Sequence, residues 1–260
     1  MFDPDALHRL GWQRPARFAP PGAGRVDLWL VRVPPAGVAL DALLARLSPA
    51  AQLRAAGKRI EAKRREYIVG QATLRLLLAR ALGVDPQAVA YRRGIKGKPY
   101  LAPPLDAAGL MFNITHSGEM VMLALSLANE VGIDVEWRNE RTDPERVARR
   151  AFTARERAAM DALPEELRRA HFFQLWTCKE ALVKCTGLGI HSGMAQFEVA
   201  LDAHGARVEH AWQRQAGVQR LHIVPLPLGA GHAGALVHEP PRLQLRRWLL
   251  DALPDPLAGF

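Results

Sequence analysis

Between residues 131 and 137 the chain reads V-G-I-D-V-E-W, with apolar side chains at 131, 133, 135 and 137 and carboxylates at 134 and 136. Alternation with period two marks a strand with one buried face. The pattern predicts a strand with Val131, Ile133, Val135 and Trp137 along one face. Asp134 and Glu136 leave its other face, with their Cα atoms about 7 Å apart. Apolar or alternating runs predict further strands at 27–33, 121–127, 197–201, 221–226 and 233–238. The run at 121–127 is expected to turn at Asn129-Glu130 and form a hairpin with the acidic strand.

Elsewhere the apolar period is helical. Ser48-Pro49 reads as an N-cap followed by proline at the first helical position. A helix is expected from there to about Leu82, interrupted or bent near Gly57, with Leu74, Leu77, Leu78 and Ala81 as its apolar stripe. Gly83 and Pro86 end it. Asp143-Pro144 opens a short helix, and Thr153 with Glu156 fits a capping box. Pro164 opens a longer helix to about Thr186, stopped by Gly187 and Gly189. On that helix Trp176, Glu180 and Lys184 recur every four residues and project on one side. Residues 1–24, with Pro4, Pro15, Pro20 and Pro21, read as an irregular lead-in. Residues 242–250 read as a short amphipathic helix, and Pro103-Pro104 as a seam between halves. There is no internal repeat at the level of sequence.

Composition narrows the picture. A chain of 260 residues, 49% hydrophobic, can bury one large core or two small ones. No stretch approaches the roughly 18 continuous apolar residues of a membrane helix, so no membrane partner is expected. The start of the chain shows no signal-peptide core. Cys178 and Cys185, if on one helix, lie about 10 Å apart along its axis, too far for a disulfide. A cytoplasmic setting is the simple expectation. The net charge of +9 favours an acidic partner. No arginine-rich tail or aromatic–basic RNA signature accompanies that charge, so it does not by itself name nucleic acid.

Four stretches carry candidate chemistry. Asp134 and Glu136 can turn toward one hard cation; magnesium takes one or two carboxylates and completes its shell with water and phosphate. The other reading of that strand is simply amphipathic, with two solvated acids. The loop G-I-K-G-K-P at 94–99 is flexible and cationic but does not match a Walker loop. F-N-I-T-H-S-G at 112–118 gathers Asn113, Thr115, His116 and Ser117 into a polar turn or an anion site. The basic run Lys58, Arg59, Lys63, Arg64 and Arg65 reads as a solvated helix face from which one or two residues could hold phosphates.

Three segments in order, F-N-I-T-H-S-G, G-I-D-V-E-W and W-T-C-K-E-A-L-V-K-C-T-G-L-G-I, resemble the Sfp-type (surfactin-synthetase-activating) 4′-phosphopantetheinyl transferases over about residues 48–200. The resemblance implies an α+β fold: a pseudo-dimer of two similar α/β half-domains, 1–110 and 111–260, with the active site in the cleft between them. It implies a monomer with pseudo-twofold symmetry. The implied reaction moves the 4′-phosphopantetheine group of coenzyme A onto a serine of an apo acyl or peptidyl carrier protein and releases adenosine 3′,5′-bisphosphate. By motif position, Asp134, Glu136 and Glu180 match the family's magnesium-site acids, and Glu180 also its candidate base. Lys184 matches a lysine that contacts the coenzyme A phosphates and assists the leaving group. Lys98 matches the lysine of the G-K-P loop, and Thr115 and His116 match a Ser-His pair that holds the 3′-phosphate. Threonine replaces serine there, which keeps the hydroxyl. For the basic residue of the first long helix Arg54, Arg64 and Arg65 compete, with Arg65 preferred.

The residue types fit such a transfer, which needs charge neutralisation and positioning more than covalent help. Two alternatives stay open: another magnesium-dependent enzyme acting on a nucleotide or diphosphate, and a basic nucleic-acid-binding protein. The second gives no reason for D-x-E on a strand together with K-E-A-x-x-K on a helix.

Overall fold

The structure, a computed structural model, describes residues 2–94, 96–188, 194–202, 205–211 and 218–250. Its strands form two main sheets. In the first, β1 (Arg25–Arg32) lies between antiparallel β5 (Met120–Leu127) and parallel β11 (Gln244–Leu250), with β4 (Leu110–Ser117) outside β5. In the second, β6 (Val131–Trp137) is an edge strand paired with β10 (His232–His238), followed by β9 (His222–Pro225), β8 (Gly205–Ala211) and β7 (Phe197–Asp202). A small ribbon of β2 (Tyr91–Arg93) and β3 (Pro99–Leu101) carries the G-K-P turn.

Each main sheet carries one long helix on its outer face. α4 (Glu61–Leu82) packs on β4 and β5, and α7 (Glu165–Thr186) packs on β6 and β10. Alternation along the strands then divides the core. Trp29, Val31, Val121 and Leu123 face α4. Their neighbours Leu28, Leu30, Met120 and Met122 meet Val131, Ile133, Val135 and Leu236 of the second sheet. Ala233, Ala235 and Val237 face Phe172, Leu175, Cys178 and Ala181 of α7. The architecture is α+β, with helices outside and the two sheets meeting across a shared apolar layer.

The capping signals act as their chemistry requires. Ser48 Oγ accepts from the Ala51 amide at 3.3 Å at the start of α3 (Pro49–Ala56). The expected interruption near Gly57 separates α3 from α4. Asp143 caps α5 (Pro144–Ala151), and Thr153 and Glu156 form a full capping box on α6 (Ala154–Asp161). Gly83 and Gly187 end the two long helices at φ 67° and 71°, the left-handed region where glycine carries no Cβ penalty. Gly189 lies outside the described residues.

Three expectations fail. β6 does not form a hairpin with β5, because β1 and β4 already occupy both edges of β5. The lead-in contains α1 (Pro4–Arg9), capped by Asp3, and it buries Phe2, Leu7 and Trp12 between the sheets. Residues 244–250 form a strand rather than a helix. Leu249 enters the layer between the sheets and Leu250 the layer under α4. A strand covered on both faces loses clean alternation, so its period is ambiguous.

Candidate active site

The site lies where the edge strands β4 and β6 run side by side without sharing a backbone ladder. Side chains cross the gap instead. Asn113 Oδ1 accepts from the Ile133 amide at 3.1 Å, and Ser117 Oγ accepts from the Trp137 amide at 3.0 Å. Between these two staples Thr115 Oγ1 donates to Asp134 Oδ1 at 3.0 Å. Ser117 Oγ also donates to Glu136 Oε2 at 2.9 Å. Thr115 and Ser117 therefore stand one opposite each acid of the strand.

α7 brings the third acid. Gly132 makes this possible, since a Cβ there would fall 2.1 Å from the Ala181 carbonyl oxygen and 2.3 Å from the Cys185 nitrogen. The helix backbone rests directly on β6, and Glu180 and Lys184 reach the strand's acidic face. Lys184 Nζ donates to Asp134 Oδ1 at 2.5 Å and to Thr115 Oγ1 at 3.2 Å, and stands 3.9 Å from Glu180 Oε2. Trp176, one turn earlier, lies beside Glu136 and favours its charged form. The exposed Glu–Lys pair that the spacing alone allowed is instead buried, with Glu180 7% accessible.

Crowding three carboxylates in a poorly hydrated place disfavours their charged forms. Burial, then the charges of Asp134 and Glu136, push Glu180 up to about 7 against the pull of Lys184. Glu136 is raised by burial and by Asp134. Burial also raises Asp134 against Lys184 and Thr115. Lys184 is held above its ordinary value because the surrounding anions outweigh its burial. Asp134 Oδ2 is buried without a hydrogen-bond partner among the described residues. An unsatisfied carboxylate oxygen and two further acids with raised values form a hard, oxygen-only donor set that suits a divalent cation. Among the described residues no three His, Cys, Asp or Glu side chains are already closed around a common point. The Lys184 ammonium stands against Asp134 and supplies positive charge there.

The remaining expected residues are placed differently. Thr115 and His116 follow each other on β4 and so leave opposite faces. Thr115 joins the acids, whereas His116 Nδ1 lies 2.7 Å from Glu66 Oε2 on α4. Side chains on opposite faces of a strand do not grip one phosphate together, so the expected pair is divided. Lys98 is buried, and its ammonium donates to Glu130 Oε2 at 2.5 Å, to the Cys185 carbonyl at 2.9 Å and to the Val131 carbonyl at 3.1 Å. Those bonds use all three of its donors, so Lys98 ties the G-K-P turn to β6 and α7 and has none left for a phosphate. Arg65 spends two of its five donors on the carbonyls of Pro34 and Val38, at 3.0 and 2.9 Å, and its Nη1 stands 3.6 Å from Glu61 Oε1. The basic residue of α4 nearest the site through its partners is Lys63, which bonds Glu66 at 2.8 Å. Glu66 carried no signal in the sequence beyond its place beside the basic run.

Comparison with known proteins identifies the family. Residues 130–236 match the 4′-phosphopantetheinyl transferase superfamily, and residues 34–128 match a family described as 4′-phosphopantetheinyl transferase, N-terminal. The chain is 35% identical to the 4′-phosphopantetheinyl transferase HetI of Nostoc sp., over 68% of this chain and 74% of that protein. It is 32% identical to a phosphopantetheinyl transferase of Thraustochytrium sp., over 70% and 67% of the two chains. A 4′-phosphopantetheinyl transferase of Bacillus subtilis is 30% identical over 53% of this chain and 59% of its own length.

Proposed function

The chain belongs to the 4′-phosphopantetheinyl transferase superfamily and moves phosphopantetheine from coenzyme A to carrier proteins, and on that premise we propose which groups of this site do the work. The observation that carries the reading is the meeting of Asp134, Glu136, Glu180 and Lys184 at the β4–β6 seam, with one Asp134 oxygen left unpaired. The serine hydroxyl of an apo acyl or peptidyl carrier protein attacks the diphosphate phosphorus that bears the pantetheine arm. The bond between the two phosphates breaks, and adenosine 3′,5′-bisphosphate leaves.

Glu180 accepts the serine proton. A carboxylate placed beside the reacting hydroxyl can take that proton as the new bond forms. Lys184 neutralises the negative charge that grows on the leaving phosphate, as a point charge on a flexible stem suits. Thr115 belongs with Lys184 at the diphosphate, and His116 with Lys63 at the 3′-phosphate. Asp134, Glu136 and Glu180 would hold magnesium, which would supply further charge neutralisation at the diphosphate. Ser117 orients Glu136 within that set.

We place the boundary between half-domains at the turn from β5 to β6, where the two family matches also meet. Each half then contributes one 22-residue helix packed on one sheet, although β11 of the C-terminal half joins the edge of the first sheet, and this pairing of helix and sheet is the basis for reading a pseudo-twofold relation in a single chain.

Calorimetry tests the metal assignment without turnover. Magnesium should bind the wild-type protein and should not measurably bind an Asp134→Ala variant of unchanged circular dichroism. Equal affinity for both would remove Asp134 from the site.

A further inference from the structure

Glu66 is a buried carboxylate, 2% accessible, on a helix face that otherwise packs Val69, Gly70 and Thr73 against the first sheet. Its place follows from the close approach of α4 to β4. A Cβ on Gly70 would lie 3.1 Å from Ile114 Cδ1, so glycine lets the helix settle on the strand there. One turn back along the helix and two residues on along the strand, Glu66 meets His116. Glu66 Oε2 lies 2.7 Å from His116 Nδ1, and the Lys63 ammonium lies 2.8 and 3.0 Å from its two oxygens.

Burial raises the Glu66 carboxyl, but hydrogen bonds from His116 and Lys63 outweigh it and hold the group below its ordinary value. An ionised carboxylate only accepts hydrogen bonds. The proton between Glu66 and His116 therefore sits on Nδ1, and Nε2 is the nitrogen left for another partner. The same carboxylate restrains Lys63, whose side chain is half exposed, beside that ring.

We propose that Glu66 is a positioning residue that holds His116 by Nδ1 and Lys63 by its ammonium, so that Nε2 of the ring and the remaining Lys63 donors face the 3′-phosphate of coenzyme A. This rests on the reading of His116 as a 3′-phosphate contact. The competing role for Glu66 is only to fasten α4 to β4, and the two roles differ in what they do to a substrate lacking that phosphate.

The test is steady-state kinetics with coenzyme A and with dephospho-coenzyme A for the wild type, Glu66→Gln and His116→Ala. For Glu66→Gln, KM for coenzyme A should rise about tenfold, the worth of one charge-assisted hydrogen bond. Its kcat should be nearly kept, and KM for dephospho-coenzyme A should hardly move. Equal rises for both substrates would overturn the proposal and leave Glu66 a fastener. His116→Ala separates the two levels of the argument. If it too fails to discriminate the substrates, the 3′-phosphate reading falls and the role of Glu66 falls with it. If it discriminates and Glu66→Gln does not, only the role of Glu66 falls. Should Glu66→Gln not fold, nitrogen-15 spectra of the wild type decide, with the His116 signals assigned by their loss in His116→Ala. At a pH where the ring is neutral, His116 should carry its proton on Nδ1, and a proton on Nε2 would contradict the proposal.

Discussion

Glu180 shows at a single residue how the site sets function against stability. Its folded-state value of about 7, against an ordinary 4.5, means that the folded protein holds this proton more tightly than the unfolded chain does. The resulting stabilisation is complete below about 4.5 and is lost as pH rises through about 7. Glu180→Gln removes that titration while keeping a good helix former. In magnesium-free buffer the variant should melt above the wild type at about pH 8, and the gap should close toward about pH 5. A gap of the same size at both pH values would show that no strain is stored there. The residue types of this cluster were legible in the sequence, because strand alternation alone sets Asp134 and Glu136 on one face and helical spacing aligns Glu180 with Lys184. The commitments of Arg65 and Lys98 were not. A basic side chain announces charge, but the carbonyls of Pro34 and Val38 and the Glu130 carboxylate that absorb it come from segments distant along the chain.

At the scale of elements, β6 and α7 act as one unit fastened at Gly132. The contacts a Cβ would make are with helix backbone, not with flexible side-chain ends, so nothing yields without moving α7. Gly132→Ala should cost about 3 kcal/mol, the upper end for overpacking a core, and should depress turnover further by displacing Glu180 and Lys184 from Asp134. Chemical denaturation together with kinetics checks both, and near wild-type stability would show that the strand and helix are not locked together. A buried ion pair secures the other side of the helix. Lys179 Nζ lies 2.5 Å from Glu156 Oε2 and donates to the Phe197 carbonyl, while Glu156 also accepts from the Val199 amide. Helix ends were legible because caps are local chemistry: Ser48-Pro49, Asp143-Pro144 and Thr153 with Glu156 each satisfy amides within three residues. Asp3-Pro4 carries the same signal as the first two, and it starts a helix among prolines that otherwise suggested an irregular segment. Strand partners were not legible. The hairpin expected of β5 and β6 depends on whether an edge of β5 is free, and β1 and β4, distributed along the chain, decide that.

For the whole molecule, two sheets meeting across one apolar layer fix the seam at which β4 and β6 bring their polar faces together. The net charge of +9 also suits a nucleic-acid binder, but charge spread along a chain selects no partner, whereas four groups converging from a strand and a helix select a chemistry. Family membership then decides between the two. Among the described residues no helix is long and apolar enough to cross a membrane. The central claim is that this seam transfers a phosphopantetheinyl group with Glu180 as the base. Intact-mass spectrometry of an apo carrier protein, incubated with coenzyme A, magnesium and either the wild type or Glu180→Gln, tests it most directly. The account predicts that the carrier gains one phosphopantetheinyl group with the wild type and stays almost wholly unmodified with the variant over the same time. A carrier left unchanged by the wild type, or modified as fast by Glu180→Gln, would contradict it.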